Sequence, residues 1–336
     1  MQGSACYGSP SNETEHSLIN VFTKFLCPVT STEMPTPLVS VVIALWPDTA
    51  GAFACLSALE GQRDEHTQVI AAPACPPALE LVRQFPRVEW LPPAPDALIP
   101  NLWSQGLAAA RGEVVAITIA QFTPAADWVA QIRAAHGRLD SAGIGGAIDP
   151  PARGSAVAWA TYFLRYSSLF KLDREQKVND LAGDNASYKR EAIAAHAESI
   201  REGFWEQEFH RLVLAEGESL SFVPEIRVTQ NASFGLRRFC AQRFSHGRHF
   251  GDDRVRGRSF LFRLAGIVAA PLIPVLLLAK ILQRLRAKPS YLGPFLHSLP
   301  VLLLFIAAWA TGEAWGYVTA SAGGTAALPA GKSFST

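Results

Sequence analysis

The chain has 336 residues, 49% hydrophobic and 18% charged, with a formal net charge of +1. That length holds one large domain or two ordinary ones, and the balanced charge argues against a global field that would draw nucleic acid or an acidic polymer. Five scattered cysteines (Cys6, Cys27, Cys55, Cys75, Cys240) show no CxxC or Cys/His spacing, which argues against a disulfide framework or a zinc site and for reduced thiols in a cytosolic domain.

Residues 1–33 are polar and rich in Gly, Ser and Asn, and "SLINVFTKFLCP" is too short, and interrupted by Lys24, for a signal peptide. A disordered extension without function is expected there, with the folded domain starting at Met34. "LVSVVIAL" is a continuous apolar run rich in β-branched residues, as expected of a strand buried on both faces. A helix with Phe53, Leu56 and Leu59 on one side follows it, and then the strand "TQVIAA". Next come the helix "ALELVRQF", the strand "RVEWL", the helix "LWSQGLAAAR" and the strand "GEVVAIT". This alternation predicts an α/β fold, Rossmann-like, with a mostly parallel sheet flanked by helices and ligands at the carboxyl ends of its strands. After the fourth strand, "IAQFTPAADW" reads as a polar break with Pro124 opening a helix.

Further along, "GIGGAIDPP" reads as a strand exit, "AWATYFLRYSSLF" as an aromatic helix and "LAGDNASYKREAI" as a turn or strand entering a helix. "GFWEQEFHRLVLAEG" is amphipathic with Gly217 as its stop, and "SLSFVPEIRVTQ" reads as two short strands around Pro224. From residue 234 the chain turns basic. Leu264 to Ala279 is uncharged, short for a span, and holds Pro271 and Pro274, whereas Ser290 to Gly312 is long enough to cross a bilayer. Lys280, Arg284, Arg286 and Lys288 lie between them. Positive charge on both sides of the first segment favours an interfacial or re-entrant placement, with the second segment spanning. A two-helix hairpin and a buried core hairpin are the other readings. The expected domains are 34–258 for the soluble part, 259–320 for a membrane-associated helical region and 321–336 for a flexible tail.

The order "VSVVIAL", "GLAAARGEVVAIT", "PAADW", "AGIGGAI", "GDNASYKREAI", "GFWEQEFHRLVLAEGESLSFVPEIRV" and "QRFSHGRHFG" resembles a family-2 glycosyltransferase of the GT-A fold over about residues 36–255. The resemblance implies a nucleotide-sugar donor and a lipid-linked or polysaccharide acceptor. It also implies contact with membrane lipids and a bacterial-type inner membrane, with the main domain facing the cytosol. A non-catalytic relative, kept as a scaffold in an envelope assembly complex, is the alternative. In the family the first strand runs into a nucleotide-holding turn, and here Asp48 is the only acid of "LWPDTAG". The second strand end and the metal motif have lost their acids: the aligned stretches read Ala72, Pro73, Ala74 and Ile119, Ala120, Gln121. Gln121 offers one neutral carbonyl, so Mg²⁺ or Mn²⁺ is expected to bind weakly at best.

The leaving diphosphate then needs cations, and Arg243, His246 and Arg248 of "QRFSHGRHF" are the candidates, with anionic lipid as their other reading. "GDNASYKRE" matches the acceptor segment, giving Asp184 and Asn185 as substrate contacts or, alternatively, as an Asx turn. "GFWEQEFH" sits where the family carries its base. Glu206 and Glu208 point roughly opposite ways on a helix, so only one faces the cleft. Glu206 shares its face with His210 and is favoured as general base, while both acids also suit a helix amino terminus. Trp205 stacks on a sugar ring or packs in the core.

Overall fold

A computed structural model describes residues 38–46, 49, 51–151, 154–231 and 235–319. Asp48, the extension expected at 1–33 and the tail expected at 321–336 lie outside the described residues. The chain divides into two compact units. Unit 1 runs up to Ala147 and adds Arg174–Thr229, and unit 2 comprises Ile148–Asp173 and the chain from Gln230 onward.

Unit 1 is built on a mixed sheet. The apolar run β1 (Val39–Leu45) is buried at every position, and β2 (Thr67–Pro73) and β4 (Val114–Ile119) pair with it in parallel on either side. β3 (Glu89–Trp90) extends the parallel set beyond β2. Helices α1 (Ala52–Glu60), α2 (Leu79–Gln84) and α3 (Ile99–Ala109) make the crossovers that parallel pairing demands. α3 packs so closely on β1 that a Cβ at Gly106 would lie 2.1 Å from Val42 Cγ1. The sheet then reverses: β8 (Asn185–Lys189) runs antiparallel to β4, and β6 (Gly143–Asp149) antiparallel to β8. β9 (Leu220–Gln230) and β5 (Phe122–Pro124) complete the order, with β7 (Gln176–Val178) paired to β9.

Three local expectations are corrected. Pro124 ends β5 instead of opening a helix, because the Ala125 N–H donates to Arg227 O and ties this stretch to β9; α4 (Trp128–Arg138) starts later. β9 runs unbroken through Pro224, which lies beyond the Leu220–Phe222 segment paired with β7. Phe53 is exposed and edges against Phe85 at 5.9 Å, so only Leu56 and Leu59 of the expected apolar side enter the core.

A buried polar cluster joins β1 to the loop before β4. The Ser40 hydroxyl donates to Gln68 Oε1 at 2.6 Å and accepts from the N–H groups of Arg111 and Gly112. Three further helices finish unit 1: α6 (Arg190–Ala195), α7 (Ala197–Ile200) and α8 (Glu206–Ala215).

Unit 2 is helical. α5 (Ala156–Tyr166) continues into a 3-10 turn at Ser167–Lys171, and α9 (Leu236–Val255) is the long basic helix. α10 (Phe260–Ala269), α11 (Ile273–Leu285) and α12 (Leu292–Thr319) follow, and the stretches Leu261–Leu285 and Pro289–Thr319 are long and apolar enough to cross a membrane.

Candidate active site

The strand ends converge on one edge of the unit 1 sheet. Leu45 of β1 pairs with Pro73 of β2, and Ala44 pairs with Ile119 of β4. Because β8 is antiparallel to β4, its first residue, Asn185, lies at this same edge opposite Thr118. Thr118 also fixes the turn before β8, as its Oγ1 donates to Asp184 O at 2.8 Å while its own carbonyl accepts from Trp103 Nε1 at 2.9 Å. The turn comes close to α8: a Cβ at Gly183 would lie 2.8 Å from the Trp103 ring and 3.4 Å from the Glu206 carboxyl carbon. Glycine at 183 is therefore what lets the turn that carries Asp184 pack on the Trp103 ring, with the Glu206 carboxyl beside it.

The two acids of α8 separate cleanly. Glu206 is half-buried beside Gly183, whereas Glu208 is exposed and sits 3.7 Å from Arg211 one turn on. One turn after Glu206, His210 is buried, with Nδ1 2.6 Å from Asp180 Oδ1 and Nε2 2.8 Å from the Tyr188 hydroxyl. A carboxylate on Nδ1 selects the tautomer in which Nδ1–H donates and Nε2 accepts from the phenol. Burial raises the Tyr188 phenol well above its ordinary pKa of 10, and the negative charges of Glu206 and Asp180 raise it further, so it stays a protonated donor. An Asp180–His210–Tyr188 chain thus stands behind Glu206. His210 is legible from its spacing to Glu206. Asp180 and Tyr188 are not, because only the sheet brings them to that helix.

The remaining residues of this edge have distinct situations. Asn185 is fully buried and committed to the scaffold: its Oδ1 accepts from Trp128 Nε1, and its Nδ2 donates to the carbonyls of Ala147 and Ile226. Asp184 is buried in the turn. Gln121 is buried, with Nε2 donating to Trp46 O at 2.7 Å and Oε1 making no hydrogen bond among the described residues. Trp205, 41% exposed, is the N-cap residue of α8. No group of three His, Cys, Asp or Glu side chains able to hold a metal ion occurs among the described residues. The β4 end supplies one neutral oxygen where a hard divalent cation needs carboxylates, so these residues do not fit a tightly held ion.

The basic candidates belong to unit 2. Arg243 stacks over Phe239 and Trp309 at 4.8 and 5.7 Å, and its Nη2 lies 3.3 Å from His246 Nδ1. Burial, then Arg165, push the Arg243 pKa down to about 9, and burial together with Arg243, Arg165 and His249 pushes His246 down to about 4. Arg248 is exposed on the same helix.

No family model and no curated protein matches the chain. Among solved structures it is similar to the mannosyltransferase PcManGT from Pyrobaculum calidifontis, determined in complex with GDP-Man and Mn²⁺. The two share 14% sequence identity at a TM-score of 0.52, over 90% of this chain and 94% of that one. The chain therefore has a mixed α/β fold, shared with a glycosyltransferase, followed by two apolar helical stretches.

Proposed function

We propose that this chain is a membrane-associated glycosyltransferase of the family-2, GT-A type. It moves a sugar from a nucleotide-diphosphate donor to a lipid-linked or saccharide acceptor on the cytosolic face of a bacterial-type inner membrane. The observation that carries this reading is the Glu206 carboxyl, half-buried at the carboxyl edge of the parallel strands and backed by the Asp180–His210–Tyr188 chain. In an inverting transfer Glu206 takes the proton of the acceptor hydroxyl as that oxygen attacks the anomeric carbon. The nucleoside diphosphate then leaves from the opposite face. Asp184 and Trp205 contact the acceptor; Gln121 and Asp48 contact the donor. The leaving diphosphate is assigned to the basic candidates Arg243, His246 and Arg248, since an anion would offset the repulsion that Arg243 and Arg165 exert on His246.

The test is turnover of a panel of nucleotide sugars by the full chain in detergent. Glu206→Gln should lower turnover by about a hundred- to ten-thousand-fold, and Glu208→Gln should stay within a few-fold of the parent. Exchanging divalent ions for EDTA should change little, since the strand ends lack metal-binding carboxylates. The second reading, a non-catalytic scaffold, is favoured by those same missing acids. It wins if no nucleotide sugar is turned over and Glu206→Gln leaves the cellular phenotype intact.

A further inference from the structure

Unit 2 places a charged helix along the segment that would have to sit in hydrocarbon. From Phe305 onward α12 runs beside α9. The Phe239 and Phe305 rings are 4.6 Å apart, and Arg254 Nη1 donates to Glu313 Oε1 at 3.0 Å and to the Tyr317 hydroxyl at 3.1 Å. Four glycines fix this register by backbone contact. A Cβ at Gly247 would lie 2.2 Å from Trp309 O, and one at Gly251 would lie 2.3 Å from Glu313 O. One at Gly312 would lie 2.1 Å from Phe244 O, and one at Gly316 would lie 2.2 Å from Arg248 O. Close glycine contact of this kind does not slide without a clash.

α9 itself cannot enter a bilayer core. It carries Arg237, Arg238, Arg248 and His249 at exposed positions, and ionisable groups in hydrocarbon are costly unless they face protein or water. What α9 leaves of α12 is Leu292 to Leu304, about 13 residues or roughly 20 Å, short of the roughly 30 Å of a hydrocarbon core. One side of that remainder is covered too. Phe295 edges onto Phe163 of α5 at 5.4 Å, Tyr291 onto Trp159 at 5.6 Å, and Arg284 in the last turn of α11 donates to Ser167 at 3.3 Å. The other apolar stretch, Leu261–Leu285, stays right-handed helical through the 3-10 turn Ala270–Leu272, and a crossing by it would require α12 to return through the same core. The apolar remainder of α12 is too short for that return.

The opposite side of the same hairpin is bare and greasy. Leu261, Val268, Val275, Leu276, Leu296 and Val318 are all more than half exposed. Between Asp253 and Glu313 the sequence holds eight Lys or Arg residues and no acid. An apolar face bordered by cations is what an anionic leaflet fits, acyl chains below and headgroups at the rim.

We infer that the α10–α12 hairpin lies in the plane of one anionic leaflet and does not cross the bilayer. This rests on the membrane association proposed above and changes its topology. The test uses the full chain with its five cysteines replaced by serine and single cysteines restored by Ala287→Cys at the hairpin turn, Thr319→Cys at its end, and Asp140→Cys on exposed unit 1. Each is treated with a membrane-impermeant maleimide in right-side-out and in inverted vesicles. All three cysteines should label from one and the same side. Labelling of Ala287→Cys from the side opposite to Asp140→Cys would overturn the inference and leave membrane association standing. A chain that stays with the soluble fraction on sedimentation would sink both.

Discussion

At the scale of single residues, environment assigns roles that identity alone does not. Glu206 and Glu208 are the same residue two positions apart, yet one rests against Gly183 and the other meets Arg211 in solvent. His136 shows the same logic applied to a proton. Burial, with Lys189 adding repulsion, lowers its pKa from 6.5 to about 4. Its Nε2 lies 2.9 Å from Ser187 Oγ, and the buried Nδ1 has no hydrogen-bond partner among the described residues, so a second ring proton would find no acceptor there. The unfolded chain takes up this proton near pH 6.5 and the folded chain only near 4. Below pH 6.5 the unfolded state therefore binds more protons, and stability present at neutral pH is lost as pH falls towards 4, by up to ~3 kcal/mol. Denaturant midpoints measured across that window should fall for the parent and fall less for His136→Gln, which keeps a partner for Ser187. Identical slopes would show that another group drives the acid transition.

At the scale of elements, the Ser40 cluster ties three segments that pairing alone leaves loose. One hydroxyl satisfies the N–H groups of Arg111 and Gly112 where α3 hands over to β4. Ser40→Ala removes it and leaves the buried Gly112 N–H short of an acceptor, while the Arg111 N–H keeps Gln68 Oε1, at a cost of about 1–3 kcal/mol. A lower melting temperature is expected without loss of the helical circular dichroism, and an unchanged one would mean that Gln68 alone carries the loop. The parallel strands around this cluster are legible in the sequence, since a run buried on both faces must be almost wholly apolar, as VSVVIAL is apart from Ser40. Pro124 and Pro224 mislead for the opposite reason. Their strand state comes from neighbours far along the chain, and local chemistry says only that proline ends things. The Asp180–His210 contact spans 30 residues and depends on β8 reversing against β4, a pairing that no local period announces. The grouping of α5 with the C-terminal helices is hidden likewise, because an aromatic helix looks the same whether its partner is a sheet or a hairpin.

At the scale of the whole molecule, a net charge of +1 conceals a segregation of charge. The cations between Asp253 and Glu313 are offset by acids elsewhere, so the apolar hairpin carries a local positive field that the total does not report. Each Lys or Arg near an anionic leaflet contributes about 1 kcal/mol, and the attraction decays within about 10 Å at ordinary salt. The hairpin turn is the sensitive place to measure it, with Arg286 exposed and Lys288 half-buried beside it. Replacing both by glutamine removes two charges and no core packing. Flotation with phosphatidylserine-containing vesicles at low salt should then weaken by about 30-fold, the product of two such increments. Binding to purely zwitterionic vesicles should scarcely change, because there the exposed leucines and valines supply the affinity. Equal loss on both vesicle types would mean that the two cations act by holding the hairpin together. No loss on either would mean that the turn does not reach the headgroups, and the positive rim would then need another partner.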